Sequence, residues 1–581
     1  MTETHHAPLP DVYPSSKQPT SSTYSKCKKF GLPLIGLLTL LLAYISSFTK
    51  PVPNSTFDVP ASPQCKKPQV YRPSFNKSVN LILNDKQFKI DSIRKLSGAI
   101  QIPTEISDTN PLPNDDPEYY SEFFKLHKYF EETFPLVHSH LKVEKVNQLG
   151  LLYTWEGTDP SLKPILFMAH QDVVPVNREI WDSWQYPPFS GHYDQETDYV
   201  WGRGSNDCKN LMLAELEGIE QLLADGYQTE RTVILSLGFD EESSGFMGAK
   251  VLAPFLLERY GPDSMFSIID EGAGLLRLDK NLYIAAAVNA EKGYVDVRIS
   301  IHGHGGHSSV QPDHTTIGVA SELIYMMENH PFDYNFSLDN PIYDVLQCAA
   351  EHSGFLPPHV REAILKAPVD EGKRKVLTEF AVSHPDIRDL IRTTRAVDVI
   401  NGGVKANALP GLTSFIVNHR VDIHSSVNET VENDLYWARV IAEKHGYGLT
   451  FHDEVIIPET KLGHISLASE KMLEPAPVSP TSGHVWEIFA GTVQNLFQNE
   501  ILAEQKDADV YVTGGLFSGN TDTKYYWGLS KNIYRFVAGI FPFDQLRTIH
   551  SVNEHISASS HVSAVAFVYE YIVNVNEYGH D

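Results

Sequence analysis

Between about residue 90 and residue 290, short unbroken apolar runs alternate with longer stretches of mixed polarity. KPILFMAH (163–170), TVILSLGF (232–239) and MFSIID (265–270) are continuous apolar runs of strand length, the pattern of strands covered on both faces. Between the first two, Leu211, Ala214, Ile219, Leu222 and Leu223 recur at helical spacing, and Gly226 supplies a stop. Strands alternating with such helices predict a doubly wound α/β sheet.

The period changes near residue 293. Val295, Val297, Ile299 and Ile301 alternate with polar residues, predicting a strand with one wet face. Asp313 or Thr315 could cap a helix running through Ile317, Ala320, Leu323 and Ile324. LTSFIVNHRVDI (412–423) reads as a further strand, and Ser426 with Glu429 forms a capping box for a helix that ends near Gly446. The chain therefore divides into an α/β domain from 81–292 and 456–581, with a smaller α+β domain inserted at 293–455.

Upstream of that body, residues 1–29 are rich in Ser, Thr, Pro and Lys and predict a tail. The stretch 30–48 (FGLPLIGLLTLLLAYISSF) carries no charge and is long enough to span a bilayer. Lys26, Lys28 and Lys29 on its N-terminal side predict a single transmembrane signal anchor with a cytosolic N-terminus, the rest being translocated. A cleaved signal peptide would place a shorter apolar run nearer the start, and a core helix would not carry a basic leader. Residues 49–80 read as a stalk. The sequons at Asn54, Asn76, Asn335 and Asn428 all follow the apolar segment, consistent with a glycoprotein that enters the secretory pathway.

Bulk properties narrow the field without naming a substrate. A chain of 581 residues exceeds one core, and 42% hydrophobic content excludes a polytopic membrane protein. A net charge of -26 repels phosphate backbones, which argues against nucleic-acid binding. The cysteines at 27, 65, 208 and 348 form no C-x-x-C pair, so no thiolate zinc site is indicated. Cys208 reads as a buried packing residue, and a Cys65–Cys348 bridge is one pairing the sequence allows without selecting it.

Residues of metal-ligand type stand at the ends of the predicted strands: His170, Glu242 and the Asp270–Glu271 pair. Ligand sites form at the carboxyl edge of such sheets. Asp207, in the glycine-flanked loop GRGSND, and His550 complete a set of imidazoles and carboxylates that suits two borderline cations, with zinc the expected metal, rather than calcium. Asp207 is the candidate bridge between them. Asp172, two residues beyond His170, could orient its imidazole. Glu241, adjacent to Glu242, is placed to act as general base. Each such residue taken alone also fits a helix cap or a salt-bridge partner. Neither G-x-S-x-G nor H-E-x-x-H occurs, which removes the serine-elbow and helix-based zinc protease readings.

The ordered blocks HQDVVPV, GRGSNDCK, DEESSG, DEG and IHSVNE resemble those of the di-zinc aminoacylase and carboxypeptidase family, over roughly residues 80–581. The resemblance implies a zinc-binding α/β domain with an inserted lid or dimerisation domain, and two zinc ions per chain. His170, Glu242, Asp270 (or Glu271) and His550 would then divide between the ions, with Asp207 bridging, Asp172 orienting His170 and Glu241 as base; Asp270 is the favoured member of its pair. His307 in GHGGHSS would stabilise the oxyanion, and Asn407 in GGVKANALP with Arg420 in NHRVDI would hold the substrate carboxylate.

The implied activity is a membrane-anchored metallo-exopeptidase that removes C-terminal residues from short peptides with a free carboxylate. Water between the zincs would be the nucleophile. The anchor and the wording of GGLFSGNTDTKYY match a fungal vacuolar branch of the family, implying a lumen-facing vacuolar protein, and the resemblance admits a homodimer. Two alternatives stay open: an N-acyl-amino-acid amidohydrolase of the same family, and a receptor-like ectodomain that keeps the fold without the activity.

Overall fold

In a computed structural model that describes residues 64–580, the apolar runs form the middle of an eight-stranded sheet. Its strand order is Lys142–Val146, Gly150–Trp155, Val233–Gly238, Ile165–His170, Ser267–Arg277, Ile533–Ile540, Leu282–Glu291 and Asp509–Phe517. The strands Val233–Gly238, Ile165–His170, Ser267–Arg277 and Ile533–Ile540 run parallel to one another. Antiparallel partners flank them, so the sheet is mixed.

Alternation within one run explains how both faces are covered. Ile165 and Phe167 belong to the same buried cluster as Leu216 and Ile219 of helix Lys209–Ala224 and Val565 and Ile572 of helix Ala558–Tyr578. Leu166 and Met168 belong instead to a cluster with Leu252 and Leu256 of helix Ala249–Tyr260. A strand buried on both sides has no polar face to display, which is why its run is unbroken.

A second, six-stranded sheet runs in the order Thr394–Gly402, Leu412–Val421, Gly293–Gly303, Gly463–Leu473, Gly448–Phe451 and Glu454–Ile457. Val295, Val297, Ile299 and Ile301 point into a separate core under the helices Thr316–Asn329 and Val427–His445. Of the two cap candidates, Thr315 serves: its Oγ1 accepts from Gly318 N at 3.0 Å. Ser426 caps the later helix by accepting from Glu429 N at 3.1 Å, whereas the Glu429 carboxylate takes the Ser425 hydroxyl rather than closing the box.

The second sheet departs from the expected 293–455 span in two ways. Its strand Gly463–Leu473 lies beyond residue 455, because the strand must return antiparallel to Gly293–Gly303 before the chain leaves the sheet. The helices Ile342–His352, Pro358–Lys366 and Glu371–Ser383 do not pack in the core of this sheet; Leu346, Val360 and Leu377 join the core of the eight-stranded one.

The stretch expected as a stalk is also tied down where it is described. Cys65 and Cys348 form a disulfide, and Glu351 accepts from the backbone N–H groups of Gln64 at 2.9 Å and Cys65 at 2.8 Å. Ser74 N donates to Glu577 at 2.8 Å. The apolar stretch 30–48 lies outside the described residues; among those described, no helix is long and apolar enough to cross a membrane. Asn76, Asn335 and Asn428 are exposed, whereas the sequon residues Ser78 and Thr430 are buried.

Candidate metal centre

His170 ends its strand in register with Gly238, so His170 and the turn carrying Glu241 and Glu242 leave the sheet at the same edge. Asp207 arrives from the loop before helix Lys209–Ala224, and His550 from the loop before strand His555–Ser557. His550 holds left-handed backbone at φ 57°, a conformation that non-glycine residues keep mainly where the surroundings enforce it.

These residues converge. Asp207 Oδ1 lies 3.1 Å from His170 Nε2, and Asp207 Oδ2 lies 3.1 Å from His550 Nε2. Glu271 Oε2 approaches His170 Nε2 at 3.5 Å, and Glu242 Oε2 approaches His550 Nε2 at 3.1 Å. Two donor groups result, His170–Asp207–Glu271 and Asp207–Glu242–His550, which share only Asp207. The Cys208 thiol also falls within reach of the first group. It is buried and engaged with the His170 backbone, whose N–H it accepts at 3.3 Å.

Of the acidic pair in IIDEG, the structure brings Glu271 to the cluster, not the favoured Asp270. Asp270 is buried, and its Oδ2 has no hydrogen-bond partner among the described residues. The cause is a register break: Arg535 pairs with Asp270, and the next residue, Phe536, pairs with Ala273. The irregularity at Glu271–Gly272 turns the second carboxylate toward His170.

Asp172 has two tasks. Its carboxylate lies 3.3 Å from His170 Nδ1, and it accepts the backbone N–H groups of Glu241 at 3.1 Å and Glu242 at 3.0 Å. The shorter contact of His170 Nδ1 is to the Asp172 backbone carbonyl at 3.0 Å, so Asp172 fixes the imidazole through its carbonyl and carboxylate together, while the carboxylate holds the turn that bears the base candidate. Sequence reasoning missed a second brace. Glu554 is buried and accepts from Asn206 N at 3.0 Å, Asp207 N at 3.2 Å and Arg203 Nη1 at 2.6 Å. It lies four residues after His550 in the motif already singled out, which was the available signal.

The electrostatics suit a cationic occupant. Burial, with the Asp207 charge, pushes Glu242 up to about 7, and burial raises Glu271 well above the usual carboxylate range. Burial also raises Glu241. For Asp207, burial is outweighed by hydrogen bonds from His170 and His550, which hold it well below that range. His550 rises to about 11, because its hydrogen bonds to Asp207 and Glu242 overcome the cost of burial. So many carboxylates cannot ionise together in a dry site unless positive charge is supplied. A mixed imidazole and carboxylate donor set with one shared carboxylate fits a pair of zinc-like cations.

The remaining site candidates stand apart from this cluster. His307 and Asn407 lie on a small exposed ribbon where Gly306–His307 pairs with Ala408–Leu409. His307 Nδ1 bonds the Ser309 hydroxyl at 2.7 Å, and no hydrogen bond or ion pair joins either residue to the cluster among the described residues. Arg420, on the second sheet, stacks its guanidinium 4.7 Å over Tyr294 and donates from Nη1 to Asn520 Oδ1 at 3.4 Å. Asn520 follows the strand Asp509–Phe517 of the large sheet, so Arg420 faces the body that carries the cluster.

Residues 166–574 match Peptidase family M20/M25/M40. The chain is 57% identical to Carboxypeptidase S of Saccharomyces cerevisiae over 97% of this chain and 99% of that protein. It is 31% identical to the N-fatty-acyl-amino acid synthase/hydrolase of Homo sapiens over 84% of this chain and 89% of that protein. Among solved structures, human carnosine dipeptidase 1 superposes with a TM-score of 0.58 at 13% identity, covering 87% of this chain and 100% of that one. At that identity the likeness speaks for the fold.

Proposed function

The chain belongs to peptidase family M20/M25/M40, and from that premise we propose that it is a membrane-anchored zinc carboxypeptidase that hydrolyses the C-terminal bond of short peptides. The observation that carries this reading is Asp207, with one oxygen 3.1 Å from His170 and the other 3.1 Å from His550. His170 and Glu271 would hold one zinc ion and Glu242 and His550 the other, with Asp207 between them. When bound, the ions polarise the scissile carbonyl and lower the pKa of water.

The chain's own groups do the rest. Glu241, raised by burial, takes the proton of the attacking water and passes it to the leaving nitrogen. Asp172 keeps that turn and the His170 ring in place. Arg420 binds the free carboxylate of the substrate, which selects an exopeptidase over an endopeptidase. His307 and Asn407 stand on an exposed ribbon away from the cluster, so their roles toward oxyanion and carboxylate require lobe closure or a second copy of the chain.

The resemblance of GGLFSGNTDTKYY to a fungal vacuolar branch of the family supports a vacuolar location, and the uncharged stretch 30–48 supports anchoring with the catalytic body in the lumen. The likeness to N-fatty-acyl-amino acid hydrolases keeps an amidohydrolase as the second reading, since that chemistry needs the same carboxylate clamp. The test is metal analysis of the purified protein together with hydrolysis of an N-blocked dipeptide and an N-fatty-acyl amino acid, with and without chelator. Chelator-sensitive cleavage of the dipeptide supports the peptidase; preference for the acyl amino acid supports the second reading, and activity unaffected by chelator overturns both.

A further inference from the structure

The two sheets are joined at a hinge where Lys292 connects strand Leu282–Glu291 to strand Gly293–Gly303. The returning chain runs alongside, with Ala476 N donating to Glu291 O at 3.0 Å. The Lys292 peptide is clasped by the segment after strand Asp509–Phe517: its N–H donates to Phe517 O at 3.0 Å, and its carbonyl accepts from Asn520 Nδ2 at 2.7 Å. Its buried ammonium donates to Asp389 O and Arg392 O, each at 2.8 Å. A carbonyl can only accept, so the Asn520 amide cannot flip, and its Oδ1 must face outward. That oxygen meets Arg420 Nη1 at 3.4 Å. Arg420 has no carboxylate in ion-pair range among the described residues, although the chain carries a net charge of -26. Half-buried and stacked on Tyr294, it keeps its charge available for an anion from outside the chain.

We propose that Asn520 is a positioning residue for substrate, its hinge-locked amide aiming the Arg420 guanidinium at the carboxylate of the peptide. This rests on Arg420 being the carboxylate clamp. Asn520 suits the task because its one neutral acceptor orients the guanidinium without cancelling its charge, as a carboxylate there would.

The metal-loaded full chain is assayed on an N-blocked dipeptide and on its C-terminal amide. Asn520→Ala is expected to raise KM for the free acid about fivefold, with kcat and the amide's KM within about twofold, the scale of one ordinary hydrogen bond, as suits a contact as long as 3.4 Å. Asn520→Asp keeps the shape but cannot donate to Lys292 O and places a charge against Arg420; its KM for the acid should rise by about tenfold or more. Neither change should add to the effect of Arg420→Ala in the double variant. Unchanged KM in the Asp variant, equal rises for acid and amide, or additive effects in the double variant would each overturn the proposal. If Arg420→Ala alone fails to discriminate acid from amide, the clamp reading falls first, and this proposal with it.

Discussion

The carboxylate of Glu554 receives the backbone N–H of Asp207 at 3.2 Å, joining two segments 347 residues apart in sequence. The same carboxylate is paired with Arg203 at 2.6 Å, both side chains being buried. The loop that carries the bridging candidate is thereby held by the segment that carries His550.

Replacing Glu554 by Ala leaves Arg203 buried without its partner and frees the Asp207 loop. The expected loss is about 3–5 kcal/mol of stability and on the order of 10–100-fold in metal affinity. Denaturant melts and chelator competition read the two effects separately. A variant with native metal affinity would limit Glu554 to a structural role.

Replacing Glu241 by Gln should cut kcat by at least about 10²-fold while metal content stays near that of the unaltered protein. Loss of metal in this variant would instead make Glu241 a ligand. Elemental analysis alongside turnover decides between the two.

Glu570 lies buried in helix Ala558–Tyr578, away from the cluster, where burial pushes it up to about 8 despite the hydrogen bond from Asn495. Its folded pKa exceeds the unfolded one near 4.5, so the folded state binds more protons between those values. Stability carried by this group is therefore complete below pH 4.5 and is lost as pH rises through about 8, by up to about 5 kcal/mol. Glu570→Gln should flatten the melting profile across that window. An unchanged profile would mean that Glu570 does not set the slope.

Replacing Cys348 by Ser opens the only disulfide among the described residues and releases the segment near Cys65 from helix Ile342–His352. The expected loss is about 2–5 kcal/mol, with new proteolytic cleavage near residues 64–70. Limited proteolysis under oxidising conditions checks this; an unchanged digest would show that Glu351 and the other contacts hold the segment by themselves.

Much of the large sheet was legible because strands buried on both faces leave continuous apolar runs, and ligands that end such strands must share an edge. His170 and Glu242 were readable for that reason, whereas Asp207 and His550, which sit in loops, were readable from the motif blocks GRGSNDCK and IHSVNE. Glu271 was not separable from Asp270, since the side-chain parity there depends on the irregular register against Arg535 and Phe536, set by another part of the chain. The helices at 342–383 carried no signal for which core they join; an apolar stripe shows that a helix is covered, not by what. Glu554 stood within the IHSVNE motif, but its role as a brace was not readable there because its partners, Arg203 and the Asp207 amide, belong to a distant loop.

The central claim is that Asp207 bridges two cations held by this chain. Anomalous scattering at the zinc edge from crystals of the metal-loaded protein tests it most directly. Two peaks are predicted, each about 2.0–2.2 Å from one Asp207 oxygen, one beside His170 and Glu271 and the other beside Glu242 and His550. A single peak, or two peaks without Asp207 between them, would contradict the account.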